Sequence, residues 1–138
     1  VKVLTRLFAK LKERRINLKN LILKTNMVLP GKASGVVAEP LEVANATLRS
    51  LQKSVPAEVP GIVFLSGGQT PDEATRNLNE IVKLKGNVPW EISFSFSRAL
   101  QNEAMEVWAG QDANIVKAQE TFIKRVKLVA EARQGILG

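Results

Sequence analysis

Three short stretches hold the residue types from which chemistry at a carbonyl and at a phosphate could be built. The first is LILKTNMVLPG, residues 21–31, where Lys24 interrupts an apolar run. A lysine ammonium in water is no nucleophile at neutral pH. Desolvation and nearby positive charge favour the free amine, which attacks carbonyls to form imines. The second is Ser66-Gly67-Gly68, directly after the apolar run 61–65. Glycines between a strand and a helix let the backbone approach an anion, and the following N–H groups and helix dipole attract it. The third is Ser97-Arg98, at the end of the alternating run Trp90–Phe96. A guanidinium grips phosphate through two parallel hydrogen bonds.

Each stretch also has a plain structural reading. Lys24 could bury its stem and send its head to solvent. The glycines could serve only a tight turn, and Arg98 a surface ion pair or a helix start. What joins the three stretches is their place in the chain. Residues 1–15 alternate Val1, Leu4, Leu7, Phe8 and Leu11 with basic positions at helical spacing. Leu21–Val28 is apolar on both parities except at Lys24 and Asn26, the pattern of a strand covered on both faces. Glu39-Pro40 opens a helix with the stripe Leu41, Ala44, Leu48 and Leu51. After the second strand, Thr70-Pro71-Asp72-Glu73 reads as a capping box with proline in the first turn. Trp90, Ile92, Phe94 and Phe96 face one way in the third strand, and Glu91, Ser93, Ser95 and Ser97 the other. A helix then runs from Arg98 to about Trp108, and a last one from Asn114 to Arg133 on the stripe Ala118, Phe122, Val126 and Val129, ended by Gly135. Strands alternating with helices give an α/β fold with a parallel sheet, in which function gathers at the carboxyl ends of the strands. All three stretches fall at those ends.

Composition narrows the chemistry. The 138 residues, 45% hydrophobic and 24% charged, suffice for one domain with a core. With no cysteine and no histidine, thiolate nucleophiles, Ser-His systems and the usual zinc ligands are absent, so any catalysis rests on Lys, Asp, Glu, Arg, Ser or Thr. No run of about 18 apolar residues marks a membrane span, and a reducing, cytoplasmic setting is the default. The net charge of +7 is concentrated in Lys2–Lys24, where Glu13 is the only acid. No nucleic-acid motif accompanies it, so neither a nucleic acid nor a membrane is expected as partner. The helical pattern begins at Val1 with no cap ahead of it, and a longer parent chain is expected.

LILKTNMVLPG resembles the Schiff-base segment of class I fructose-1,6-bisphosphate aldolases. GIVFLSGGQTPDEATRNLN is similar to that family's phosphate-binding strand and helix, SFSFSRALQNEAMEVWAG to its next strand and helix, and AQETFIKRVKLVAEARQG to its final barrel helix. The resemblance runs in order from near the first residue to about Gly135. It implies the C-terminal part of a TIM (β/α)8 barrel, spanning residues 1–138. By the same resemblance Lys24 forms the imine with a phosphorylated ketose, and Ser66, Gly67, Gly68, Ser97 and Arg98 hold its phosphate. No cofactor or metal is implied, and the full-length protein is expected to be a homo-oligomer. This sequence departs from the family at Thr25, where proline is usual, and at Ser97, where glycine is usual. The tyrosine-ending tail is also missing. The general acid/base carboxylates of the family lie on earlier strands. Glu39, Glu42, Asp72 and Glu73 are better explained by helix starts, and Glu91 opens its strand at the wrong end. A second reading therefore stays open, a non-catalytic phosphosugar-binding or interaction unit.

Overall fold

A computed structural model describes residues 1–138, with the side chain of Lys32 outside the description. Helix α1 (Lys2–Glu13) is followed by three strand–helix units, β1 (Ile22–Thr25) with α2 (Pro40–Gln52), β2 (Gly61–Phe64) with α3 (Pro71–Leu84), and β3 (Glu91–Phe94) with α4 (Arg98–Trp108). Helix α5 (Ile115–Gln134) closes the chain. The strands form one parallel sheet in the order β1-β2-β3. This is the alternation that the sequence predicts, and it brings all three carboxyl ends to one side.

Beyond the regular strands two further bonds extend the pairing toward that side. The Leu65 N–H donates to the Thr25 carbonyl at 3.0 Å and the Ser95 N–H to that of Phe64 at 2.8 Å. The strands are shorter than their apolar runs. After Thr25 the Asn26 side chain accepts from the Met27 N–H, and the Val28 N–H turns to the Thr47 hydroxyl of α2 at 2.9 Å. The chain leaves the ladder because a side chain of the neighbouring helix takes over its donor.

The helices cover one sheet face. Leu23, Ile62, Phe64 and Ile92 point into the core they make with Ala44, Leu51, Leu78, Ile81 and Val129. The opposite face is open, and there the expectation of a strand covered on both sides is corrected. Ile22 is 65% exposed, Lys24 is exposed, and Val63, Leu65, Ser93 and Ser95 are half-buried. Side-chain alternation explains the split, because successive residues of a strand face opposite ways. Two helix stripes also shift. In α2 Leu41 is 52% exposed, while Val43 and Thr47 are buried. In α5 the buried positions are Arg125, Val129 and Ala132, and Phe122 is 39% exposed.

β1 and β3 each leave one edge unpaired beside the open apolar face. Such edges pair with other chains. Expressed as these 138 residues, the protein is expected to self-associate and to melt broadly. Analytical ultracentrifugation with circular dichroism checks this, and a monomer with a sharp melt would contradict it.

Candidate active site

The glycine turn owes its shape to local geometry. The Gln69 N–H donates to the Ser66 carbonyl at 3.3 Å. Gly68 has φ +86°, the left-handed backbone that the third position of a type II turn requires. Gly67 answers to space instead of angle. A methyl group there would lie 3.0 Å from Leu65 Cδ1 and 3.7 Å from Arg98 Nη2. The turn and the arginine, 30 residues apart in sequence, are therefore adjacent, as the sequence predicts. Ser66 is buried at the base of the turn. Between turn and arginine lies a cavity of about 300 Å³, lined by Gly68, Gln69, Thr70, Glu73, Arg98 and Asn102.

The two helices that start here treat their first turns in opposite ways. At α3 the Thr70 hydroxyl accepts from the Glu73 N–H at 3.2 Å, and the Glu73 carboxylate accepts from the Thr70 N–H at 2.7 Å. Asp72 and Glu73 add negative charge to that turn. Helix α4 has no capping side chain at Ser97 and no acid in its first turn, and it begins with Arg98. A cation at a helix N-terminus opposes the macrodipole, and the first N–H groups of any helix lack internal partners. Among the described residues Arg98 makes no ion pair, and it is exposed. Helix N–H groups without a side-chain cap and a guanidinium without an ion pair are the kinds of donor from which oxyanion sites are built. The sequence points to the dipole of the helix after the glycines, but that helix is already capped, and the free N-terminus belongs to α4.

Ser97 has φ −109° and ψ −76°. Its φ is negative, so this position does not need glycine. The Thr25 hydroxyl reaches only the Asn26 carbonyl, at 3.4 Å.

Lys24 stands on the open sheet face, in register with Val63, which is itself in register with Ser93. Gly67 lies four residues beyond Val63 toward the carboxyl end. The expected shielding of this lysine from water is absent here, since no element of the chain covers that face. Three of the carboxylates set aside in the sequence are engaged elsewhere. Glu42 accepts from the Glu39 N–H at 3.0 Å, Glu73 caps α3, and Asp72 pairs with Arg125 at 2.7 Å. The role of Asp72 is therefore an ion pair and not only a dipole contact. Arg125 escaped the sequence reading altogether. Its spacing to Val129 and Ala132 was the available signal, but its partners on α3 lie 50 to 54 residues away and Ala99 lies 26 residues away.

The family model described as "Glycolytic: Fructose-bisphosphate aldolase class-I" matches residues 1–137. The chain belongs to the class-I fructose-bisphosphate aldolases. It is 48% identical over 134 residues to fructose-bisphosphate aldolase 6, cytosolic, of Arabidopsis thaliana, covering 97% of this chain and 37% of that one. It is 46% identical to a cytoplasmic isozyme of Cicer arietinum, with the same coverage. The solved fructose-bisphosphate aldolase of Plasmodium falciparum, in complex with TRAP and a small-molecule inhibitor, superposes with a TM-score of 0.94 at 39% identity, covering 99% of this chain and 39% of that one. The chain thus spans somewhat over a third of the length of these aldolases, and its three parallel strands are a portion of a TIM barrel. In a closed barrel the face that carries Lys24 is the interior, packed by the remaining strands.

Gly68→Ala is expected to destabilise the complete polypeptide by about 1–2 kcal/mol, because alanine must hold a left-handed φ. Ser97→Gly is expected to change stability by less than about 0.5 kcal/mol, because no left-handed angle is required there. Thermal denaturation of both variants checks the pair, and a costly Ser97→Gly with a neutral Gly68→Ala would reverse the assignment.

Proposed function

We propose that these residues supply the imine-forming lysine and one phosphate grip of a cytoplasmic aldolase, in which fructose 1,6-bisphosphate is cleaved to, or formed from, dihydroxyacetone phosphate and glyceraldehyde 3-phosphate. The observation that carries the reading is Arg98, an unpaired guanidinium opening an uncapped helix beside Gly67. It makes sense of a local electrostatic arrangement that is unfavourable without an anion. Lys24 lies two strand rows below Gly67 on the open face, about 13 Å along an extended strand. A long lysine side chain and a three-carbon phosphate ester together bridge such a gap.

The chemistry follows from the amine. The Lys24 nitrogen adds to the ketone carbon, and loss of water leaves a protonated imine. Its positive nitrogen draws in the electron pair of the neighbouring carbon–carbon bond as that bond breaks, giving an enamine and an aldehyde. The proton lost by the departing hydroxyl goes to a base outside these residues. Protonation of the enamine carbon and addition of water then release the ketone phosphate and restore the amine. Ser66, Gly67, Gly68, the Ser97 N–H and Arg98 hold the phosphate next to the ketone carbon. Assembly of the complete protein as a homo-oligomer belongs to the same proposal.

A second reading, phosphosugar binding without turnover, is favoured for these residues taken alone by the exposure of Lys24 and the engagement of Glu42, Asp72 and Glu73 elsewhere. The 138 residues alone are expected to show no cleavage.

Borohydride reduction with dihydroxyacetone phosphate, followed by peptide mapping, is expected to place the label on Lys24 in the complete polypeptide. Lys24→Met should abolish labelling. Arg98→Ala should weaken ketone-phosphate binding by about 1.5–3 kcal/mol, the range for a charged hydrogen bond. Label on another lysine rejects the catalytic assignment, and binding without label favours the second reading.

A further inference from the structure

Arg125 sits in the middle of α5 and is 4% exposed. Its Nε donates to the Ala99 carbonyl at 3.2 Å, Nη1 to Asp72 Oδ1 at 2.7 Å, and Nη2 to the Pro71 carbonyl at 2.6 Å and to the Thr75 hydroxyl. Ala99 directly follows Arg98. Pro71 directly follows Thr70, the cap of α3, which comes two residues after Gly68. One guanidinium therefore ties the first turn of α3, which follows the glycine turn, to the first turn of α4, which Arg98 opens. Those helices touch each other little, and each packs extensively on α5. Their relative position is set through α5.

Burying a charge costs free energy that packed apolar side chains avoid. What the guanidinium adds is a planar fork whose donors fix the directions of several acceptors at once. We propose that Arg125 is a positioning residue for the phosphate site. It holds the Ser66–Gly68 turn and Arg98 at the spacing an oxyanion needs, without lining the cavity itself. This rests on the phosphate reading of Arg98 and adds a residue that the chemistry does not use directly.

Arg125→Lys keeps the charge and most of the volume but loses the fork. In the complete polypeptide it is expected to bind inorganic phosphate about tenfold more weakly by isothermal titration, as a small misplacement of a binding group does. KM for fructose 1,6-bisphosphate should rise by a similar factor. Borohydride trapping of phosphate-free dihydroxyacetone at Lys24 should proceed at the wild-type rate. Thr75→Val, which removes one acceptor of Arg125 together with the hydroxyl's own bond to the Pro71 carbonyl at 2.7 Å, should show the same split with a smaller loss and serves if Arg125→Lys fails to fold. Unchanged phosphate affinity, or equal losses for phosphate and for dihydroxyacetone, would overturn the proposal. A wild type that binds phosphate but traps no ketone overturns the imine chemistry instead, and the phosphate comparison still decides the role of Arg125.

Discussion

The parallel pairing of β2 with both neighbours is the constraint on which the rest depends. Its register puts Lys24 beside Val63 and Val63 beside Ser93. Because the strands run the same way, everything that follows them in sequence emerges at one end. A glycine turn and an arginine thereby share one rim, and the lysine, more than 70 residues before the arginine, lies two strand rows below it on the open face. Had any strand run the other way, its chemistry would lie at the far end of the sheet. Residues before the site matter for the same reason. The buried face of the sheet, with Ile62, Phe64 and Ile92 against α3 and α5, holds this register through apolar burial, each such side chain contributing on the order of 1.5–3 kcal/mol.

Electrostatics then separates two helix starts that look alike in outline. α3 consumes its own first-turn donors in a reciprocal cap and surrounds them with Asp72 and Glu73. α4 has no such side-chain cap, its Leu100 N–H turning back to the Ser97 carbonyl at 3.0 Å, and it begins with a cation. The first arrangement stabilises the fold by itself, and the second sets a cation against the helix dipole. Two helices beginning at the same rim thus divide a self-capped start from an open one. Arg125, donating to both from α5, links the divided parts.

The exposure of Lys24 is the counterpart of the open sheet face. A chain that spans about a third of its relatives buries the helix side of its strands and leaves the side that faces a barrel axis to be covered by others. The same physics accounts for exposed Ile22 and half-buried Val63 and Leu65. Apolar residues on that face are only partly covered, and the lysine among them is exposed.

Much was legible in the sequence because it is governed by local rules. Periodicity gave the element order, the capping box at Thr70 and Glu73 and the cap at Gly135 follow from residue type, and the glycine turn and Arg98 were recognisable from their positions after apolar runs. The limits of the strands were not legible, since Thr47 of α2 captures the Val28 N–H. Nor was the stripe of α5, where Arg125 takes a core position because its partners come from two other helices. The residues themselves determined which groups could do chemistry: a lysine within an apolar strand, glycines at a strand end, an arginine opening a helix. Only the tertiary structure decided which of those groups meet, which helix start is left open to an anion, and which sheet face lacks a cover, because hydrogen-bond partners and burial depend on contacts between segments that no local pattern encodes.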